Sequence, residues 1–242
     1  SELYSGDPEK RLQQELVLGI GGWRLLQHMG IQPSVVHINE GHCAFALVER
    51  IRALCSTAKL SFDAARAATR ASNLFTTHTS VASGFDLFPT RLITQYLSDY
   101  LQDMALDVTT FLQLGQREGH PDDEFNMSYL AVRLSGRING VSRIHREVSR
   151  HIFSGLFPRW PLHDIPVEYV TNGVHTPSWD SPEADALWTA ACGKDRWCGN
   201  LEQTRVPFGT ITDDSLWAMR ANQRHRLIRF LRARLHSQHC EH

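Results

Sequence analysis

The sequence predicts an α/β fold in which helices flank a parallel, doubly wound sheet. Short apolar runs rich in β-branched residues alternate with helical patterns along the chain, and this alternation is typical of parallel sheets. Two of the runs end in polar clusters that contain a histidine. Because ligands of open α/β sheets bind at the carboxyl ends of the strands, we expect a polar ligand at that edge.

Each element follows from local signals. Strands are predicted at 34–39, 73–79, 137–141 and 166–171. Capping residues and helical periodicity predict helices at 8–29, 40–54, 61–71, 89–103, 107–115, 124–134 and 143–153. We expect the section 181–242 to be helical, with a break at 193–209 and a last helix over 213–235.

The first predicted helix begins at Asp7 as N-cap and ends at Gly30. Its apolar residues spread around much of the circumference, so it is expected to be largely buried. Gly19, Gly21 and Gly22 weaken a helix, and we expect another backbone to pass close to them.

The first polar cluster follows the strand 34–39. Asn39 is predicted to cap the next helix, and Gly41 is predicted to leave room for close approach to its first turn. Glu40 and His42 are therefore expected at the ligand edge. The second cluster, Thr77-His78-Thr79, ends the strand 73–79 and precedes a loop over 80–86, so both clusters are expected to meet one ligand.

Bulk properties exclude several classes of function. The 242 residues carry a formal net charge of −1 with a pI near 6.9, so no basic field favours nucleic acid or acidic lipid. No apolar run reaches the length that crosses a bilayer, and no secretory signal is visible. The 5 scattered cysteines are typical of reduced thiols in a cytoplasmic protein.

Five segments, in order, resemble the α-glucan phosphorylases (glycogen, starch and maltodextrin phosphorylases), and they are most similar to the shorter bacterial form. The segments are LYSGDPEKRLQQELVLGIGGWRLL (3–26), HINEGHCAFALVERIR (37–52), LFTTHTSVASGFDLF (74–88), MSYLAVRLSGRINGVSRIHREVSR (127–150) and VTNGVHTPSW (170–179). The resemblance implies a Rossmann-like sheet that is part of a two-domain GT-B fold. It also implies reversible phosphorolysis of α-1,4-glucan or maltodextrin by inorganic phosphate to give glucose 1-phosphate.

In this family, the histidine that matches His78 lies against the transferred glucosyl unit, and its carbonyl and ring face the anomeric carbon. The resemblance therefore implies a catalytic role for His78, with Thr79 beside it. Such a preorganised dipole favours an oxocarbenium-like transition state. Without the resemblance, His78 would be interpreted as an ordinary histidine at a strand end.

The resemblance also implies four further substrate-binding residues. Glu40 and His42 match residues of the pocket behind the catalytic sugar, although a carboxylate in a first helical turn is favourable in any helix. Asn172 matches an asparagine that hydrogen-bonds the glucosyl unit, although asparagine is common in such turns. Val141 matches a residue whose backbone approaches the sugar.

The chain also departs from the family pattern in the loop after His78. Ser80 and Ala82 stand where the shorter phosphorylases usually have proline, so we expect a less rigid loop. Phe85 stands where a polar residue is usual, and Cys43 replaces a small residue.

Phosphorylases use pyridoxal phosphate held by a lysine of a second domain, and none of Lys10, Lys59 and Lys194 has that context. The resemblance thus implies that 1–242 is the later part of the N-terminal half, with a helical section at about 181–242, and that the domain that binds pyridoxal phosphate is absent. No cofactor-binding or metal-binding residue is assigned to this chain.

Three functions remain to be weighed. The first is a phosphorylase fragment that provides one wall of an active site, is inactive alone, and belongs to a possible homodimer. The second is a stand-alone, non-catalytic glucan-binding or regulatory fragment. A nucleotide-sugar glucan synthase is disfavoured by the matches at 77–79 and 171–175.

Two further features have ordinary explanations. The histidines and Cys240 of the tail 236–242 resemble metal ligands, but a frayed terminus offers no rigid frame. The arginines from Arg220 to Arg234 are interpreted as a solvated face or as a surface for the absent domain.

Overall fold

The structure is a computed structural model that describes residues 6–198 and 209–240. The chain divides into two compact units, the first ending at Asn172 and the second beginning at Gly173. The first unit is an α/β domain, and the described part of the second is helical.

A parallel sheet forms the centre of the first unit. The strands in the described part of the chain are β1 (Val36–Asn39), β2 (Asn73–Thr77), β3 (Leu87–Phe88), β4 (Phe125–Asn126), β5 (Arg137–Gly140) and β6 (Glu168–Tyr169). Four of them pair in parallel in the order β1-β2-β5-β6, while β3 and β4 form a separate antiparallel pair. The predicted parallel sheet with flanking helices is therefore confirmed.

Helices connect and flank these strands. In the first unit they are α1 (Pro8–Leu16), α2 (Gly22–His28), α3 (Phe45–Ala58), α4 (Phe62–Arg70), α5 (Thr90–Gln102), α6 (Val108–Leu112), α7 (Met127–Leu134) and α8 (Arg143–Phe153). Helical crossovers of this kind are what parallel neighbouring strands require. Side chains cap several of these helices through the N–H groups of the first turn, and their sequence positions indicate it for Asp7, Ser61, Asp107 and Ser142.

The core fixes the position of β2. Phe75 at its centre is fully buried and meets Phe153 of α8 edge to face, with ring centroids 6.4 Å apart. Phe45 and Ile51 of α3 belong to the same buried cluster. Because these side chains are packed at close to crystalline density, the carboxyl end of β2 is held in a defined place.

Several predicted boundaries differ from the structure. The predicted helix 124–134 begins only at Met127, because residues 125–126 pair with β3 as β4. The predicted helix 40–54 begins at Phe45, after a 3-10 turn over Gly41–Cys43, and it continues to Ala58. Strand β6 spans two residues rather than the predicted 166–171.

The N-terminal helix is not the single, largely buried helix that its composition predicts. A π-helical turn, Val17–Gly21, separates α1 from α2, and the side chains of Val17 and Leu18 are 73% and 53% exposed. Only Gly19 of the three glycines meets the expected neighbouring backbone, since a Cβ there would lie 2.7 Å from the nitrogen of Ala46. Gly22 has no atom within 4 Å of such a Cβ.

We therefore expect opposite effects from two equivalent substitutions. Gly19→Ala should lower the free energy of unfolding by about 1–3 kcal/mol, because the added methyl group overlaps the backbone of α3. Gly22→Ala should raise it by about 0.5–1 kcal/mol, because alanine is the better helix former and meets no neighbour. Urea denaturation of both variants measures the difference. Equal effects would contradict the close contact at Gly19.

The described part of the second unit contains α9 (Thr176–Trp179), α10 (Pro182–Cys192), a 3-10 helix (Lys194–Trp197) and α11 (Asp213–Cys240). The predicted helical section is confirmed there, while residues 199–208 of the predicted break lie outside the described residues. The arginines of 220–234 are on α11, which also exposes Trp217 and Phe230. No described helix is both long and apolar enough to cross a membrane.

Candidate functional site

The carboxyl ends of β1 and β2 lie side by side. Asn39 is paired with Thr76 in the parallel register, so both strands end at the same edge of the sheet. Glu40 follows β1 directly, and His78 follows β2. The two polar clusters that the sequence indicates are therefore neighbours.

The Glu40 carboxylate joins the two strand ends. Its Oε1 accepts hydrogen bonds from the backbone N–H of His78 at 2.5 Å and of Thr79 at 2.8 Å, and from the Thr79 hydroxyl at 3.1 Å. Hydrogen bonds to a charged acceptor are stronger than bonds between neutral groups. Glu40 thus holds the first residues of the loop that follows β2.

The backbone of Glu40 has an unusual conformation. Its φ of 64° and ψ of 171° lie in a region that residues other than glycine rarely occupy, at a typical cost of about 1–3 kcal/mol. The next residue, Gly41, packs against α7, where a Cβ would lie 2.8 Å from the nitrogen of Ser128. The turn therefore places the Glu40 carboxylate at the end of β2 and the Gly41 backbone against α7.

The predicted role of Asn39 as a helix cap is wrong. The backbone turns at Glu40, so the following helix starts five residues later, beyond reach of a cap at Asn39. The Asn39 side-chain oxygen instead lies 2.9 Å from Nε2 of His78. A carbonyl oxygen only accepts, so His78 donates from Nε2. Asn39 therefore fixes the orientation of the His78 ring.

His145 is a site residue that the sequence did not reveal. Its Nδ1 accepts a hydrogen bond from the Val141 backbone N–H at 3.2 Å, and its Nε2 lies 3.0 Å from the carbonyl oxygen of Thr79. With Nδ1 accepting, Nε2 carries the proton and donates to Thr79. His145 therefore joins the loop after β2 to the loop after β5. The sequence signal that could have revealed His145 is its position three residues after Ser142, the residue that caps α8.

A cavity of about 380 Å³ opens at this edge. The predicted residues Glu40, His42 and Thr79 line it together with residues that were not predicted to bind a ligand. These further lining residues are Arg11, Gly41, Gly84, Phe85, Asp86 and Ser128. Charged and hydroxyl groups that converge in a cleft form a site for a polar ligand rather than for an apolar one.

The far end of the loop is held by an ion pair across the cavity. Arg11 donates from Nε to Oδ1 of Asp86 and from Nη2 to Oδ2, each at 3.2 Å. Asp86 is also held through its backbone carbonyl, which accepts from the Met127 N–H at 3.1 Å. Phe85, where the family usually has a polar residue, stacks on Phe153 with centroids 5.6 Å apart. The loop is therefore held at both ends, although Ser80 and Ala82 stand where the shorter phosphorylases usually have proline.

Val141 and Asn172 lie farther along the same edge. The Asn172 N–H donates to the Val141 carbonyl at 3.4 Å, and the two residues follow β5 and β6. Neither residue lines the cavity of Glu40 and His42. The structure thus brings together Glu40, His78 and Thr79 by direct contact. His42 lines the cavity with Glu40 and Thr79, whereas His78 is beside these residues and is not part of the lining. Val141 and Asn172 follow the neighbouring strands on the same sheet edge.

The cavity does not fit a cofactor that needs a lysine. Its lining contains none of the three lysines of the sequence. Lys10 and Lys59 are exposed, and Lys194 forms an ion pair with Asp185 at 2.8 Å in the second unit. Within residues 6–198 and 209–240, no three His, Cys, Asp or Glu side chains are grouped to hold a metal ion. The last two residues of the tail 236–242 lie outside that part.

A parallel sheet with a polar cavity at its carboxyl edge defines an α/β protein with a candidate site for a polar ligand. The family model described as carbohydrate phosphorylase matches residues 28–238. The chain therefore belongs to the carbohydrate phosphorylase family, which confirms the resemblance found in the sequence.

Curated relatives agree with this assignment. The chain is 38% identical to a maltodextrin phosphorylase of Thermococcus litoralis over 235 residues, which are 96% of this chain and 27% of the relative. It is 36% identical to a glycogen phosphorylase of Mycobacterium tuberculosis over 244 residues, covering 96% and 28%. A glycogen phosphorylase of Aquifex aeolicus is 32% identical over 235 residues, covering 97% and 33%. The chain thus spans about a third or less of these relatives.

Proposed function

We propose that this chain forms one wall of the active site of an α-glucan phosphorylase and binds the glucosyl unit at the edge of its sheet. The observation that carries the proposal is the contact of Glu40 with the backbone of His78 and Thr79, beside a polar cavity. In the proposal, the sheet is part of the N-terminal half of a two-domain GT-B fold, and the second wall comes from outside this chain.

His78 has the central role in this proposal. Its carbonyl and ring face the anomeric carbon, where positive charge develops as the glycosidic bond breaks, and a fixed dipole stabilises that charge. The hydrogen bond to Asn39 and the bonds from the loop backbone to Glu40 fix the histidine before the sugar arrives. Preorganisation of this kind removes the cost of reorienting the dipole during the reaction.

The remaining candidate residues bind the sugar in the proposal. Glu40, His42 and Thr79 supply acceptors and donors from the cavity side, while Asn172 and the backbone of Val141 supply them from the neighbouring strand ends. Asn172 is exposed and its side chain is available to a sugar hydroxyl. Sugars bind through such convergent polar groups, each of which adds specificity for hydroxyl positions.

Several parts of the proposed enzyme lie outside this chain. Pyridoxal phosphate and the groups that bind inorganic phosphate belong to the second domain in this proposal, because no lysine lines the cavity. We also propose a cytoplasmic location, which the free thiols of Cys43, Cys55 and Cys198 support. A homodimer is part of the proposal.

The test uses the chain and a chimera. Calorimetric titration of the 242-residue chain with maltoheptaose should show binding, and the chain alone should form no glucose 1-phosphate from maltodextrin and phosphate. A chimera in which this chain replaces its matching segment of the Thermococcus litoralis maltodextrin phosphorylase should form it when pyridoxal phosphate is supplied. No binding of maltoheptaose by the folded chain would overturn the proposal.

His78→Ala should lower kcat of the chimera by about 10²-fold or more, because the oriented dipole is lost. The free energy of unfolding should change by no more than about 0.5 kcal/mol, because His78 is exposed. His120→Ala, which removes another exposed histidine from a turn, is the matched control and should leave kcat unchanged. An unchanged kcat in His78→Ala would remove the catalytic role.

A second candidate is a stand-alone glucan-binding fragment. The polar lining of the cavity, which contains no lysine, favours it. The two candidates differ in one result: a folded chimera that binds maltoheptaose but forms no glucose 1-phosphate supports the binding fragment.

A further inference from the structure

A carboxyl group that no part of the proposed mechanism uses is buried behind the cavity. The Glu15 side chain on α1 is 1% exposed. Neither of its oxygens has a hydrogen-bond donor of good geometry among the residues that the structure describes. A buried carboxylate whose oxygens lack well-oriented donors is unfavourable when charged, so its surroundings favour the protonated form.

Three titratable groups face Glu15. Arg11, one turn earlier on α1, places Nε 3.0 Å from Oε1 of Glu15, but that N–H donates to Asp86. The Asp86 carboxylate, on the loop after β2, lies beside Glu15 and disfavours a second negative charge. The Cys43 thiol, on the turn after β1, is the third group, and burial raises its pKa.

The charge balance of this cluster favours a proton on Glu15. Burial, followed by the Asp86 charge, raises the pKa of Glu15 to about 8. The protonated carboxyl can donate a hydrogen bond to Asp86. In this state Arg11 and Asp86 form a neutral pair, and Asp86 holds the end of the loop.

The loop transmits this state to the candidate site. Gly84 lies against Thr79, since a Cβ on Gly84 would be 2.8 Å from Cγ2 of Thr79. Thr79 in turn contacts Glu40 and His145. A shift of Asp86 therefore changes both the cavity wall and the residue next to His78.

We propose that protonated Glu15 is a positioning residue that, through Arg11 and Asp86, holds the loop over 79–86 in the form that binds the glucosyl unit. Ionised Glu15 competes with Asp86 for the single guanidinium of Arg11, and the loop loses its second anchor. This proposal rests on the proposed function for the identity of the ligand, but the coupling of Glu15 to the loop does not.

The first test follows the loop itself. In NMR spectra of the 242-residue chain recorded from about pH 6 to pH 10, the backbone amide signals of Thr79, Gly84 and Asp86 should titrate together with a midpoint near the pKa of Glu15, about 8. Glu15→Gln, which imitates the protonated form in size and charge, should abolish this transition. Glu9→Gln on the same helix is the matched control and should retain it. Loop signals that titrate equally in Glu15→Gln would overturn the proposal.

The second test measures the site. Maltoheptaose affinity of the unsubstituted chain should fall at least about threefold between pH 7 and pH 9, because Glu15 loses its proton over this range. The affinity of Glu15→Gln should stay constant. If the loop titrates as expected but no variant binds maltoheptaose at any pH, the proposed function fails and the coupling stands. If maltoheptaose affinity depends on pH in the same way in the unsubstituted chain and in Glu15→Gln, then Glu15 does not position the site.

Discussion

Replacement of Glu49 by alanine should lower the free energy of unfolding by about 3–5 kcal/mol, because it leaves two arginines without their shared buried partner. The carboxylate is fully buried in α3. It accepts from Arg52 at 2.7 Å, from Arg24 at 3.0 Å and from the Tyr100 hydroxyl at 2.7 Å. One acidic group thereby connects α2, α3 and α5.

The ionised state of Glu49 depends on these partners. Burial by itself would raise the pKa of Glu49, but the hydrogen bonds from Arg52, Arg24 and Tyr100 outweigh it and hold the pKa below its ordinary value. A lowered pKa stabilises the fold above the pKa of the unfolded chain, and this contribution is lost as the pH falls through the folded value. The loss in Glu49→Ala should therefore be larger at neutral pH than in acid.

Glu147→Ala is the matched control for Glu49→Ala. Glu147 also contacts an arginine, Arg146, at 2.6 Å, but the pair lies at the surface, where solvent screens such pairs and they contribute little to stability. Urea denaturation of both variants gives the comparison. A loss at Glu49 no greater than the loss at Glu147 would show that the buried cluster does not hold the three helices together.

Substitutions at Glu40 should separate its backbone effect from its side-chain effect. Both Glu40→Ala and Glu40→Gly remove the acceptor of the His78 and Thr79 N–H groups, so both should weaken maltoheptaose binding by about tenfold or more. Only glycine also relieves the unfavourable φ of 64°. Glu40→Gly should therefore be more stable than Glu40→Ala by about 1–3 kcal/mol.

Thermal unfolding and calorimetric titration of the two Glu40 variants provide the measurements. The informative result is that stability differs between the variants while the loss of affinity is the same. Equal stability would mean that the backbone at Glu40 is not strained. Affinity that is regained in Glu40→Gly would mean that the turn, rather than the carboxylate, shapes the cavity.

Local chemistry predicted most of the fold. Ser61 and Ser142 lie at helix starts because their hydroxyls satisfy first-turn N–H groups, and this requirement depends only on nearby sequence. The parallel sheet followed from the alternation of strands and helices. The two-residue strands β3 and β4 were missed, since their pairing joins segments 37 or more residues apart and two residues show no period.

The sequence predicted the residues at the centre of the site but not the ion pair at its edge. Glu40 and His78 could be placed together because adjacent parallel strands end at one edge. The Arg11–Asp86 pair joins residues 75 positions apart, and no local pattern links them. The role of Asn39 was also predicted wrongly. An asparagine between a strand and a helix can cap the helix or bind a neighbouring side chain, and the sequence is the same in both cases. Only the turn at Glu40 shows that Asn39 is a partner of His78.

The loop after β2 is fastened at its two ends, by Glu40 and by Arg11, while Val81, Ala82 and Ser83 between them are exposed. This arrangement makes the tip a convenient attachment point for a reporter group. A cysteine introduced at Ser83 could carry an environment-sensitive dye within a few residues of the cavity wall, without removing either anchor. The occupied and empty forms of the protein could then be distinguished optically, which would turn the domain into a biosensor.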